Sequence, residues 1–129
     1  MHRQNPHQDA LRNFERASLP EDKMRYPLRD TNKSVPFKSL GFSEEADNWK
    51  DLRYAIVEKL PFYPASLPKS TEYGDTCYVD VPICGPSGKE APVRTAWIYR
   101  LGEDFPRITS LYINTRMWQR MGREKLAEQ

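Results

Sequence analysis

Cysteine is scarce in this chain, histidine is confined to its N-terminal end, and long apolar runs are missing. Cys77 and Cys84 are the two cysteines. On one strand their odd offset would turn them to opposite faces, so we expect two reduced thiols, as in a reducing compartment. Two cysteines with no nearby histidine also make a poor zinc site. No stretch approaches the roughly 20 apolar residues that cross a bilayer. The opening MHRQNPHQDALRNFERASLPEDK is charged throughout and has no apolar h-region, which argues against a cleaved secretory signal. The expectation is a cytoplasmic protein with no membrane partner, no metal and no cofactor. The histidines, His2 and His7, lie far from any core element, which excludes a Ser-His-Asp or Cys-His mechanism built in the core. A P-loop, a dinucleotide-binding glycine fingerprint and a zincin histidine pair are absent, and so is a nucleophile elbow.

What is present fits one domain. A chain of 129 residues buries roughly two-thirds of its unfolded surface, enough for a core without staples. The 11 prolines fall mostly between periodic segments and punctuate them. The pattern predicts an α+β fold, with N-terminal helices packed on a small antiparallel sheet that is a three-stranded meander or slightly larger. Residues 1–23 read as an N-terminal appendage, 24–113 as the domain and 114–129 as a basic C-terminal helical tail.

Within the appendage, Asp9 to Ser18 could form a short helix with Leu11 and Phe14 on one side, ended by Pro20. Thr31 or Asn32 could cap a short helix through Phe37 to Leu40, with Pro36 in its first turn and Gly41 as its stop. Lys33 falls near that start, where the dipole does not favour a cation. The strongest helical pattern runs from about Glu44 to Leu60, capped by Ser43 and closed by Pro61, with Trp49, Leu52, Ile56 and Leu60 in one apolar stripe. Trp49 is therefore expected to be structural.

Three strands follow. Thr76 to Ile83 alternates Cys77, Val79 and Val81 against Tyr78 and Asp80. GPSGK signals a hairpin. Val93 to Leu101 places Val93, Thr95, Trp97 and Tyr99 opposite Arg94, Ala96, Ile98 and Arg100. Arg107 to Ile113 places Ile108, Ser110 and Tyr112 opposite Arg107, Thr109, Leu111 and Ile113. In the tail, Asn114 could cap a helix bearing Met117, Met121 and Leu126 on one side and Arg116, Arg120 and Arg123 on another, weakened by Gly122.

The net charge of +2 names no partner. From Ala91 onward, however, cations exceed carboxylates by three, which fits either a solvated basic surface or a patch that meets phosphate. Arginines, a lysine, hydroxyls and tyrosines around a sheet are the groups that cleave RNA without metal. Arg94 and Arg100 can hold phosphate through a planar fork, Lys33, Tyr99 or Tyr112 can handle protons if tuned, and Thr109 or Ser110 can bind a phosphate oxygen. Each also has a plainer reading, as a surface strand residue, an exposed lysine or an amphipathic core-edge tyrosine.

The segments NKSVPFKSLGF, VRTAWIYRLGEDFPR and RITSLYIN together resemble an uncharacterised bacterial domain family. In it a lysine–phenylalanine–Leu-Gly-Phe stretch precedes one helix, and a Val-Arg-Thr strand leads through tryptophan and Pro-Arg into a short Thr/Ser strand. The resemblance spans roughly Arg25 to Ile113. That family in turn is similar to the barnase–EndoU–colicin–RelE group of ribonuclease toxins, in which the strands supply the active site. The resemblance implies Lys33 as a helix-side cation or proton carrier and Arg94 and Arg107 as phosphate clamps. It also implies Ser110 as a phosphate or 2′-hydroxyl contact and Tyr112 as a stacking or acid–base group. Arg100 and Trp97 join them as substrate-binding candidates. Ser110 stands where the family pattern has threonine, which preserves a hydroxyl, and Ile113 stands where it has proline.

Two readings of function follow. The first is a metal-independent endoribonuclease of bacterial toxin type, with RNA as substrate and an antitoxin or immunity protein as a neutralising partner. The second is a non-enzymatic binding module, that is, an immunity, anti-defence or RNA-binding accessory protein.

Overall fold

The computed structural model describes residues 5–120. Helices α1 (Glu21–Arg29), α2 (Ser34–Leu40) and α3 (Trp49–Lys59) precede strands β1 (Lys69–Thr71), β2 (Gly74–Cys84), β3 (Glu90–Arg100) and β4 (Arg107–Ile113). The strands form one antiparallel meander in the order β1-β2-β3-β4. The α+β expectation holds, with β1 as a fourth strand beside the expected three.

One face of the sheet carries Val79, Val81, Ile83, Val93, Trp97, Ile108, Leu111 and Ile113, buried against Met24, Leu28, Phe37, Leu40, Leu52 and Ile56 from the helices. The stripe Trp49, Leu52, Ile56 and Leu60 is buried as expected. Trp49 has the cations of Arg25, Lys50 and Arg53 around its ring. Thr95 is fully buried and hydrogen-bonded on both sides. Its hydroxyl donates to the Val79 carbonyl and accepts the Trp97 indole N–H, each at 2.8 Å.

Several local features depart from the sequence reading, each for a physical reason. Helix α3 begins at Trp49, later than Glu44, because Asp47 adopts a left-handed φ of 50° that cannot continue a helix. Ser43 instead caps a turn, its hydroxyl accepting from the Ala46 N–H, while Asn48 ties that turn to the Gly41 carbonyl. Helix α1 went unread because Pro27 lies within it. Its buried face is Met24, Pro27 and Leu28, an apolar stripe at helical spacing that outweighs the breaker. The short α2 is anchored by Asp30, whose carboxylate accepts the Asn32 and Lys33 N–H groups, rather than by Thr31 or Asn32. It ends where expected, with Gly41 at φ 101° and the Phe42 N–H returning to the Phe37 carbonyl.

Residues 7–19, expected to belong to an appendage, lie along the body. Leu11 and Leu19 are buried, Ala65 N–H bonds the Asp9 carbonyl, and Ser18 exchanges hydrogen bonds with Pro106 and Ile108 at the start of β4. The expected helix over Asp9 to Ser18 is reduced to a 3-10 turn at Phe14–Arg16. Asn114 does open a helical stretch over residues 115–120, its carboxamide oxygen accepting the Met117 N–H. His2, Met121, Gly122, Arg123 and Leu126 lie outside the described residues.

Candidate functional site

The face of the sheet turned away from the helices carries Asp80 of β2, Arg94 of β3 and Tyr112 of β4. Antiparallel pairing aligns Asp80 with Arg94 and Arg94 with Tyr112, so the three form one row across three strands. Arg94 Nε and Nη2 donate to the two Asp80 oxygens at 2.8 and 2.9 Å. Beneath this pair the Tyr78 ring lies 3.9 Å from the guanidinium carbon, close enough for a cation–π contact. The Asp80 hydrogen bonds, with smaller contributions from Tyr112, hold the Arg94 pKa above its ordinary value. Two of the guanidinium's five N–H donors are engaged with Asp80, leaving three for other acceptors.

Arg94, Tyr78 and Tyr112 line a hollow of about 690 Å³ together with Ser66, Lys69 and Thr109. Tyr78 and Tyr112 are 41% and 37% exposed, so their rings are available to stack on a planar ligand. A cation, a carboxylate and two accessible phenols on a rigid sheet can bind a phosphodiester and stack bases. They also place a proton acceptor, Asp80, and a proton donor, Tyr112, on either side of Arg94.

The other expected site residues are dispersed. Register slips between Ala96 and Trp97, pairing Ala96 with Ser110 and Trp97 with Ile108 and leaving Thr109 as the extra residue of a β-bulge. The bulge reverses the alternation of β4, so Ile108 is buried with Leu111 and Ile113 while Tyr112 faces out with Arg94. Ser110, paired with Ala96, lines a separate hollow of about 390 Å³ against α1. Lys33 lines that same hollow, with its ammonium 5.4 Å from the Tyr26 ring. Lys33 and Ser110 are thus brought together, apart from the Arg94–Tyr112 row.

Arg107 is engaged elsewhere. Its fork makes 2.9 and 2.8 Å bonds to Glu103, and its guanidinium covers the Phe105 ring. That pairing raises the Arg107 pKa and lowers that of Glu103. Arg100 is exposed at the far end of β3, opposite Gly74. Trp97 is 1% exposed and hydrogen-bonded inside the core, so its ring has no surface to offer a substrate. Tyr99 donates to the Arg12 carbonyl, and burial pushes its pKa up to about 12. Cys77 and Cys84 are both free thiols.

Sequence reasoning passed over Asp80 and Tyr78. The signal was present, since both alternate outward against Val79 and Val81. It lacked only the register that sets Asp80 opposite Arg94. Among the described residues no group of three His, Cys, Asp or Glu side chains is placed to hold a metal, and no helix is long and apolar enough to cross a membrane.

Comparison with known proteins supports the fold and the family. A chain of a contact-dependent growth inhibition toxin–immunity protein complex from Klebsiella pneumoniae 342 superposes with a TM-score of 0.62 at 15% identity, covering 78% of this chain and 95% of that one. At that identity the likeness is one of fold. No curated protein matches the sequence. The model of one family, described as "Domain of unknown function (DUF6883)", matches residues 10–115. Most of the described chain, from the segment before α1 to the end of β4, thus falls within that match, and the protein belongs to the DUF6883 family.

Proposed function

We propose that this protein is an RNA-cleaving domain of toxin type whose chemistry takes place on the open sheet face, without a metal ion. The observation that carries the reading is the Asp80–Arg94–Tyr112 row above Tyr78, a charged constellation set on three rigid strands and facing solvent. The 2′-oxygen of RNA would attack the adjacent phosphorus, its proton passing to the Asp80 carboxylate. The three remaining Arg94 donors would face the phosphorane, where preorganised donors contribute most. As the P–O5′ bond breaks, the Tyr112 phenol would protonate the leaving oxygen, giving a 2′,3′-cyclic phosphate and a 5′-hydroxyl. Tyr78 and Tyr112 would stack flanking bases. Lys33 and Ser110 contact the strand from the neighbouring hollow. Arg107, Arg100 and Trp97 have no part in this version of the site.

The fold is shared with a chain of a toxin–immunity protein complex, which fits a toxin domain neutralised by an immunity protein and fits an immunity-type binding protein equally well. A second reading, a binding module with no turnover, is favoured by one specific observation. The Asp80 oxygens and the Arg94 fork already engage each other, so the pair can serve as a preformed recognition surface. The deciding experiment incubates total RNA with the purified protein in excess chelator, beside Arg94→Ala. Discrete fragments that the variant fails to produce support the enzyme. Intact RNA from folded wild-type protein, with a stable stoichiometric complex, supports the binding module.

A further inference from the structure

We propose that the hollow between α1 and β4 is a second phosphate site, which takes a phosphate next to the one at Arg94 on the same single strand. The inference rests on the ribonuclease reading for its choice of ligand, but its geometry is independent of catalysis. The hollow is lined by Lys23, Arg29, Lys33, Tyr26, Thr109 and Ser110, with Asp22 as the opposing carboxylate.

The Lys33 backbone is anchored, its N–H donating to Asp30 at 2.8 Å, and its ammonium lies beside the Tyr26 ring. Arg29 directs Nε to Glu44 at 3.0 Å, which fixes the guanidinium and leaves its outer N–H groups for an acceptor. A cation beside the start of α2 is opposed by the helix dipole, and an anion in the hollow would offset that cost.

The bulge makes the two hollows neighbours. Thr109 lines both, and Ser110 lines only the α1 side. A strand crossing the β4 edge at Thr109 meets Arg94, Tyr78 and Tyr112 on one side, and Lys33, Tyr26 and Ser110 on the other. Each side offers cations for a phosphate oxygen, an aromatic ring and a hydroxyl. A rigid duplex cannot wrap an edge strand in this way, so the ligand class is a single-stranded or looped polynucleotide with at least two phosphates.

The test measures binding of uncleavable 2′-O-methyl oligonucleotides to the full chain, comparing a dimer with one phosphate and a trimer with two. The trimer should bind about tenfold more tightly, the scale of one charge-assisted contact. Its log–log salt slope should be steeper by about 0.7, the value for one further phosphate on a single strand. Lys23→Ala and Lys33→Ala should each pull the trimer-to-dimer ratio toward one, and Lys33→Arg should keep most of it. Equal binding of the two ligands, or a ratio that neither alanine variant moves, overturns the second site. Trimer binding as described by a protein that cleaves no RNA supports the site and refutes the ribonuclease reading. Cleavage alongside a ratio of one does the reverse.

Discussion

Breaking the Asp80–Arg94 pair should destabilise the protein measurably, and the amount follows from its burial. The side chains are 27% (Arg94) and 21% (Asp80) exposed, and they share two hydrogen bonds of 2.8 and 2.9 Å. Exposed pairs contribute about 0.2–1 kcal/mol, whereas removing one partner of a fully buried pair costs about 3–5 kcal/mol. A pair about three-quarters buried lies between, so Asp80→Ala should cost about 2 kcal/mol. Arg94→Ala should cost slightly more, because the contact with the Tyr78 face adds about 0.5–1 kcal/mol. For a chain of this size that corresponds to a fall in Tm of roughly 6–10 °C. The double variant should be less destabilised than the sum of the singles, with a coupling of about 1–2 kcal/mol. Thermal and urea unfolding of the four proteins followed by circular dichroism measure this cycle. Additive losses, with coupling below about 0.3 kcal/mol, would mean that the row is not an energetic unit and would remove the basis for treating it as one site.

Other expectations concern the framework that holds the row. Thr95→Val should cost about 2 kcal/mol despite conserving shape, because it leaves the buried Trp97 N–H without an acceptor; equal stability in denaturant would contradict it. Gly85→Ala should lower stability by about 1–3 kcal/mol, since a Cβ there overlaps the Leu40 carbonyl and pushes the β2–β3 hairpin off α2. An unchanged urea midpoint would show that the hairpin yields freely. Hydrogen bonds and charge from Arg107 lower the Glu103 pKa, those from Arg16 lower that of Asp104, and backbone N–H groups led by Lys33 lower that of Asp30. Each depressed carboxylate contributes stability above its ordinary value, 4.5 for Glu103 and 3.8 for the two aspartates, and loses it as pH falls through the folded pKa. Unfolding between pH 6 and pH 2 should therefore show stability declining with acid, and Glu103→Gln should flatten part of that decline.

The sheet was readable because its strands obey period two over long stretches. Val79, Val81 and Ile83 alternate against Tyr78 and Asp80 without interruption, and β3 does the same from Val93 to Ile98. Pattern alone could not reveal the bulge at Thr109, since one extra residue leaves composition unchanged and reverses every later side chain. For that reason Ile108, assigned by spacing to one face with Ser110 and Tyr112, is buried with Leu111 and Ile113 on the other. Helix α1 was hidden by Pro27, whose local penalty is outweighed by burial of Met24 and Leu28. In the site, Arg94 and Tyr112 were singled out and do stand together, whereas their partner Asp80 is 14 residues from Arg94 along the chain and needed the strand register to be found. Trp97 illustrates the converse. An aromatic residue on a strand can face either ligand or core, and its neighbours Val93 and Thr95 on the same face put it in the core.

The most direct test of the open-face site is the chemistry of the RNA ends. Wild-type protein, Asp80→Asn and Tyr112→Phe would be incubated with a short labelled RNA in excess chelator, and the product termini analysed by mass spectrometry. The account predicts 2′,3′-cyclic phosphate and 5′-hydroxyl ends from wild type, with the rate falling about 10²-fold or more in each variant, the scale of one lost acid or base. Undiminished cleavage by both variants, or no cleavage by folded wild-type protein, would contradict it.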